Sequence, residues 1–289
     1  MNVPSACSEA RCGAAREHRP GRMVAVNSVR HPFLDGPHPR AFAHRGWHVG
    51  ELAGMENSLA AFRRAVAEGY RYLETDVRAT RDGVVVVMHD ATLDRTTDSS
   101  GEIEWQDWKV VRTARVNGRE PVCRLDDLLE ELPEALLNVD VKADSAVTPT
   151  LELLHRTNGW HRVCLASFSE TRLRRLRAAA GSRLLTSMGP VSAAALRLRS
   201  VCPVPPAAAP IRGELAQLPV RWCGIPVIDQ ALVRYAHRLS AEVHVWTVNR
   251  AVEMHALLDL GVDGLITDRP DLLRDVLHIR QVWPGGRNG

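Results

Sequence analysis

The chain has 289 residues, of which 45% are hydrophobic and 25% charged, the make-up of an ordinary folded protein with a sizeable core. Its formal net charge of +3 is too mild to point to nucleic acid as a partner. No run approaches the length of a membrane span, residues 1–22 lack the apolar stretch of a secretory signal, and the six cysteines form no C-x-x-C pair. These features predict a cytoplasmic protein with reduced thiols and no stable membrane anchor. The basic residues are lopsided, with 35 Arg and only two Lys, Lys109 and Lys142. A chain that uses Arg almost everywhere has a chemical reason to keep a lysine.

In chain order, residues 1–40 read as an N-terminal extension whose first part is disordered, with Met23 an alternative start and residues 1–22 a disordered extension. From residue 41, short β-rich runs alternate with amphipathic ones. Strands are predicted near 41–44, 72–77, 136–142, 163–167, 184–188, 224–228, 243–248 and 264–267. Helices are predicted over 58–69, 125–132, 148–157, 169–180, 191–199, 230–239, 251–260 and 270–279, the first with Ser58 as N-cap and Gly69 as stop. The sixth strand has the weakest signal of the eight, because Pro203, Pro205, Pro206 and Pro210 crowd the segment before it. Eight alternations predict an α/β fold, a single (β/α)8 TIM barrel over 41–280 followed by a tail, 281–289.

One run breaks the alternation. Val84–Met88 follows the second strand after only Arg81-Asp82-Gly83. A parallel crossover needs a dozen or more residues, so the pair must be an antiparallel hairpin. Folding the chain back about residue 82 sets His89 opposite position 75, within one residue. Residues 91–124, with Trp105, Trp108 and the turn Asn117-Gly118, then form an insertion over the barrel mouth.

The chemistry-bearing residues sit at the ends of apolar runs. His44 closes the first strand and is followed by Arg45 and Gly46, which supply a fixed fork of donors and a tight turn. Glu74 and Asp76, at i and i+2 on the second strand, share a face. Buried together, they need a cation or a shared proton, and their spacing suits a hard divalent ion such as Ca2+ or Mg2+. His89 arrives on the hairpin. Two histidines suit general acid–base work near neutral pH. Lys142 ends the third strand with Asp140 and Asn138 on the same face.

These segments resemble the glycerophosphodiester phosphodiesterase family of TIM-barrel enzymes, related in architecture to phosphatidylinositol phospholipases C. The resemblance runs from about Ala41 to Pro270. It rests on His44-Arg45-Gly46, Glu56-Asn57-Ser58, Glu74-Thr75-Asp76, Val87-Met88-His89-Asp90, Leu93-Asp94-Arg95-Thr96-Thr97, Asn138-Val139-Asp140-Val141-Lys142, Ser167-Phe168, Trp246-Thr247-Val248-Asn249 and Gly261 through Pro270. It implies that His44 and His89 are the catalytic pair and that Glu74 and Asp76 bind one divalent cation, Ca2+ or Mg2+. It further implies that Arg45 and Lys142 contact phosphate. The family's third metal ligand is a Glu, and this chain has Asp140 there. Ser58 replaces the family's Thr. Losing a methylene withdraws the Asp140 carboxylate by on the order of 1 Å, enough to alter metal preference. Glu56 is a candidate for a further ligand or for orienting His44, and Trp246 for an aromatic wall beside the substrate.

The implied activity is metal-dependent hydrolysis of glycerophosphodiesters to glycerol 3-phosphate and an alcohol, with the roles of acid and base open between the histidines. An alternative keeps the site and gives it lysophospholipids, with 91–124 forming an acyl groove. Another is a phosphodiester-binding module without turnover. His48, His155, His161, His237 and His244 read as background, and Arg172–Arg177 as a solvated helix face with at most a weak attraction to anionic membranes.

Overall fold

The computed structural model describes residues 31–202 and 210–283, together with Met1. The expectations for residues 1–22, Met23, Pro203, Pro205, Pro206 and most of the tail lie outside the described residues. The compact body begins at His31.

The barrel strands are β1 Arg40–His44, β2 Tyr72–Ala79, β3 Leu136–Val141, β4 Val163–Ala166, β5 Leu185–Thr186, β6 Leu215–Pro219, β7 Glu242–Trp246 and β8 Gly264–Thr267. They pair in parallel in the order β5-β4-β3-β2-β1-β8-β7-β6. The edges β5 and β6 meet through a single parallel bridge, Ser187 to Leu215, so the sheet is a nearly closed barrel. A helix follows each strand: α1 Leu59–Ala67, α2 Leu125–Glu131, α3 Val147–Arg156, α4 Glu170–Ala180, α5 Pro190–Val201, α6 Gln230–Arg238, α7 Ala251–Asp259 and α8 Pro270–Ile279. Ser58 caps α1, its hydroxyl accepting from the Ala61 amide at 3.2 Å.

The sixth strand corrects the sequence expectation. Leu215–Pro219 pairs with β7, whereas the expected 224–228 segment contributes Ile225–Pro226 to a small antiparallel hairpin with Arg221–Trp222 outside the barrel. The real strand is short and ends at a proline, while Gly-Ile-Pro-Val-Ile carries more β-branched residues and is the stronger β signal in sequence.

Alternation along the strands sorts the rest. Phe42, Tyr72, Leu136, Cys164, Leu185, Leu215 and Ile266 pack into the barrel interior together with Phe33 and Leu34. The intervening residues, such as Leu73, Leu137, Val139, Val243 and Leu265, join the layer beneath the helices. The inward positions that follow the apolar ones toward the strands' C-terminal ends are His44, Glu74, Asp76, Asn138 and Asp140. One periodicity thus fills the core and gathers polar groups at the face where barrel sites form.

Val85–Val87 runs antiparallel to β2, with Val77 opposite Val87 and Ala79 opposite Val85. The Met88 amide donates to the Asp76 carbonyl at 2.9 Å, which carries the same register on to His89 opposite Thr75, as the hairpin argument requires. Residues 91–124 build their own small core from Leu93, Ile103, Val111 and Val116 under Met55 and Met88.

Candidate active site

At the end of β1 the chain turns sharply, with Arg45 at φ 55° and Gly46 at φ 85°. A Cβ on Gly46 would lie 2.9 Å from the Ala61 carbonyl carbon, so glycine lets α1 press against this turn. The turn leaves His44 pointing into the mouth, mostly buried. Its Nδ1–H donates to Asp268 Oδ1 at 2.5 Å, and its Nε2 faces Glu74 Oε2 at 3.5 Å. Burial works against the imidazolium, but Glu74 and Asp268 outweigh it and raise the His44 pKa.

Asp268 lies just past β8, the neighbour of β1. Its Oδ2 accepts from Asn249 Nδ2 at 2.9 Å, while Asn249 Oδ1 accepts from the Asp268 amide at 2.9 Å. His48 Nε2, expected to be background, stands 3.5 Å from Asp268 Oδ1. Despite burial, the hydrogen bonds from His44, His48 and Asn249 hold the Asp268 carboxyl far below the usual carboxylate range.

The carboxylates on β2 and β3 lie side by side, with Glu74 opposite Asn138 and Asp76 opposite Asp140. The Lys142 ammonium bridges Asp76 Oδ1 at 2.8 Å and Asp140 Oδ2 at 2.7 Å. Arg45 Nε pairs with Asp76 Oδ2 at 3.1 Å, and Asn57 Nδ2 donates to the same oxygen at 3.2 Å. Burial raises Asp76, yet Lys142 and Arg45 prevail and hold it ionised. Glu74 has no such partner, and burial pushes its pKa up to about 7 despite His44. Asp140 is likewise raised by burial, against the pull of Lys142.

Two buried carboxylate oxygens of this site, Glu74 Oε2 and Asp140 Oδ1, have no hydrogen-bond partner. Among the described residues, no three His, Cys, Asp or Glu side chains form a ready-made metal cage. The orphaned oxygens are nevertheless hard donors facing uncompensated burial, and the site's three carboxylates exceed its two fixed cations, Arg45 and Lys142. Donor chemistry and charge fit one hard divalent ion.

His89 is more open. Its Nδ1–H donates to Asp90 Oδ1 at 2.6 Å, and Arg95 holds Asp90 from the other side through Nε at 2.5 Å. The hydrogen bond from Arg95 lowers the Asp90 pKa to about 2, with His89 adding to the effect against modest burial. Arg95 also grips Glu56, and Glu56 accepts from Arg45 Nη1 at 2.8 Å. Glu56 therefore ties the two arginines together, and it is Asp268 that orients His44.

Trp246, half-buried at the end of β7, meets Phe168 edge-on with ring centroids 5.5 Å apart. Phe168 lies 5.6 Å below the Lys142 ammonium. Both rings line a cavity of about 600 Å³ bounded by α5 and the 221–226 hairpin. The hollow beside the insertion is polar, lined by Glu56, Arg95, Thr96, Thr97 and Asp98 among others. Nor is the Arg172–Arg177 run wholly solvated: Arg172 donates to the Val141 carbonyl at 3.0 Å and Arg177 to Thr186 Oγ1 at 2.9 Å.

The model of the glycerophosphoryl diester phosphodiesterase family matches residues 44–272, which span the whole of this site. The chain belongs to that family. A Mycobacterium tuberculosis relative named "Probable glycerophosphodiester phosphodiesterase 2" is 43% identical over 249 residues, covering 85% of this chain and 93% of the relative. A glycerophosphodiester phosphodiesterase from Caldanaerobacter subterraneus is 30% identical, with 80% and 96% covered. Human lysophospholipase D GDPD1 is 25% identical, with 82% and 85% covered. The solved glycerophosphodiester phosphodiesterase of Agrobacterium tumefaciens shares the fold at TM-score 0.67 and 24% identity, covering 83% of this chain and 99% of that one.

The chain is accordingly a phosphoric diester hydrolase. No helix among its described residues is long and apolar enough to cross a membrane. Of the partners of its catalytic candidates, Asp268, Asn249, Asn57, Asp90 and Arg95 had no role assigned from sequence, while Glu56 was a candidate for a further ligand or for orienting His44. A signal for Asp268 existed, because closing a barrel pairs the last strand with the first and sets position 268 beside position 44.

Proposed function

We propose that His44 and His89 form the acid–base pair of a metal-dependent hydrolysis of glycerophosphodiesters to glycerol 3-phosphate and an alcohol. The observation that carries this reading is the matched tethering of the two rings. Asp268 takes Nδ1–H of His44 and Asp90 takes Nδ1–H of His89, so each ring presents Nε2 for proton transfer. A solved relative from Oleispira antarctica, 20% identical, is described in complex with the product sn-glycerol-3-phosphate, in keeping with the proposed product.

Glu74, Asp76 and Asp140 would hold the cation, Ca2+ or Mg2+, which when bound supplies Lewis-acid polarisation of a phosphate oxygen and a lowered pKa for a hydroxyl. Arg45 and Lys142 lie along one edge of these carboxylates and offset charge developing on phosphorus in the transition state. Trp246 forms the aromatic wall on the side away from His89. The geometry favours His89, the more open ring, for exchange with solvent and His44, the buried one, for work against the substrate.

The test couples detection of released glycerol 3-phosphate to turnover of several glycerophosphodiesters, after chelation and add-back of Ca2+ or Mg2+. Chelation should abolish turnover, and His44→Ala or His89→Ala should each reduce it by at least ~10²-fold. Full activity in either variant would sink the assignment of that histidine.

A further inference from the structure

Below its charged centre, the barrel mouth has a polar floor that the proposed proton transfers do not use. Asn138 lies two residues before Asp140 on the inward face of β3, which sets it roughly 6–7 Å deeper in the barrel. Gln217 reaches in from β6 across the barrel, and its Nε2 donates to Asn138 Oδ1 at 3.0 Å. That bond fixes both amides, leaving Asn138 Nδ2 as a donor and Gln217 Oε1 as an acceptor. Among the described residues neither atom bonds another group, and neither is sealed from the mouth, although Asn138 is only 2% exposed. A donor and an acceptor side by side suit one hydroxyl, which accepts from Asn138 and donates to Gln217. Depth says which hydroxyl. Lys142 and Arg45, the groups proposed to hold phosphate, contact Asp76 and Asp140 in the layer above. From phosphorus held there, the three-carbon arm of glycerol spans about one layer at ordinary bond lengths. Its terminal hydroxyl arrives at the floor, while the 2-hydroxyl stays level with the carboxylates.

We infer that Gln217, together with Asn138, binds the terminal hydroxyl of the glycerol arm and so selects phosphodiesters of glycerol over those of diols that lack it. The inference rests on the proposed phosphodiesterase site and deepens it. The buried floor reads the half of the substrate that stays constant, and the head group is left to the open side of the mouth. Gln217 lies on the one barrel strand that the sequence did not reveal, so no motif pointed to it. A substrate without the terminal hydroxyl leaves the two amide groups facing each other's vacant positions in a buried place, and that mismatch is the source of the selection.

Choline release is followed for glycerophosphocholine and for 2-hydroxypropyl phosphocholine, the same diester without its terminal hydroxyl. Wild type should favour glycerophosphocholine by at least ~10-fold in kcat/KM. Gln217→Leu should bring that ratio below about threefold, the preference vanishing with the acceptor that reads the hydroxyl. Gln217→Met, nearer to glutamine in shape, should lower the ratio equally and guards against a folding defect in the first variant. A wild-type ratio near one, or variants that slow both substrates in parallel and keep the ratio, would overturn the inference. Titration calorimetry gives a reading that needs no turnover. The His89→Ala protein, with Ca2+ or Mg2+ added, is titrated with sn-glycerol 3-phosphate and with 2-hydroxypropyl phosphate. Tighter binding of glycerol 3-phosphate that Gln217→Leu removes supports the subsite even if wild type fails to hydrolyse glycerophosphocholine, a failure that would count against the phosphodiesterase site alone. Equal affinity for the two phosphates, the result of a floor filled only by water, or no binding of either, would overturn the assignment.

Discussion

Asp268 accepts the Nδ1–H of His44 at 2.5 Å from a position 224 residues further along the chain, joined to it only by the closure of β8 onto β1. The bond fixes both the tautomer and the plane of the ring. Asn249 fixes Asp268 in turn, and His48 approaches the same carboxylate. Asp268→Asn keeps the shape but can present an amide donor to the ring, which favours the wrong tautomer. We expect kcat to fall on the order of 10²-fold with KM little changed, measured as release of glycerol 3-phosphate from glycerophosphocholine. An unchanged kcat would remove Asp268 from the proton-transfer apparatus.

Lys142 answers the question raised by a chain with 35 Arg and two Lys. Its compact ammonium fits between Asp76 and Asp140, oxygens on adjacent strands that a planar guanidinium would have to straddle. Lys142→Met leaves two buried carboxylates facing each other with one cation fewer. With chelator present, urea unfolding should show a loss of about 3 kcal/mol or more, and turnover should fall with it. Retention of wild-type stability in chelator would mean that the bridge is not a structural pair.

Asp140 Oδ1 and Glu74 Oε2 are buried carboxylate oxygens of the site without hydrogen-bond partners. Restoring the longer side chain with Asp140→Glu should shift the concentration of Ca2+ or Mg2+ giving half-maximal activity downward, by about tenfold. Asp140→Asn should shift it upward. Titrating the cation back into chelated enzyme reads both changes, and identical midpoints in all three proteins would take Asp140 out of the proposed ligand set.

The sequence carried the parts that periodicity can carry. Apolar runs located seven barrel strands, and counting back across Arg81-Asp82-Gly83 put His89 opposite Thr75, the pairing that the 77–87 register extends to. The sixth strand was lost because Leu215–Pro219 is short and ends at a proline beside a β-branched competitor that pairs only with its own hairpin arm. Asp268 was legible only through barrel closure, and Asn57 and the Arg95–Glu56 link were hidden for another reason. Each acts on a residue distant in sequence or turned by a loop, and short-range spacing holds no record of such a contact. The apolar cavity beside Phe168 and Trp246 had no counterpart in the sequence reading, which looked to the tryptophans of the insertion for a substrate wall. Trp105 is instead exposed to solvent and Trp108 packs on the insertion's own core.

At the opposite end of the barrel, Arg40 makes a two-pronged pair with Glu242, Nε to Oε2 at 2.6 Å and Nη2 to Oε1 at 2.7 Å. Arg40 also donates to the Leu34 carbonyl at 2.6 Å, and its side chain is wholly buried. His244 Nε2 adds a contact to Glu242 at 3.1 Å from within the barrel. Burial raises Glu242, but hydrogen bonds from Arg40, His244 and His38 prevail and hold its pKa far below the ordinary value. Burial lowers the His244 pKa, with Glu242 opposing. Both shifts act in one direction with pH. Below about 6.5 the unfolded chain protonates His244 before the folded one does, and below about 4.5 it protonates Glu242 first. Stability is therefore full above these values and falls as acid is added through each. Glu242→Gln removes the carboxylate part of this slope and leaves Arg40 buried without its counter-charge, at a cost of about 3–5 kcal/mol near pH 7. Urea midpoints from pH 7 to pH 4 would show wild type losing stability steadily and the variant starting low with a flatter decline. Parallel curves would place the source of the acid slope elsewhere.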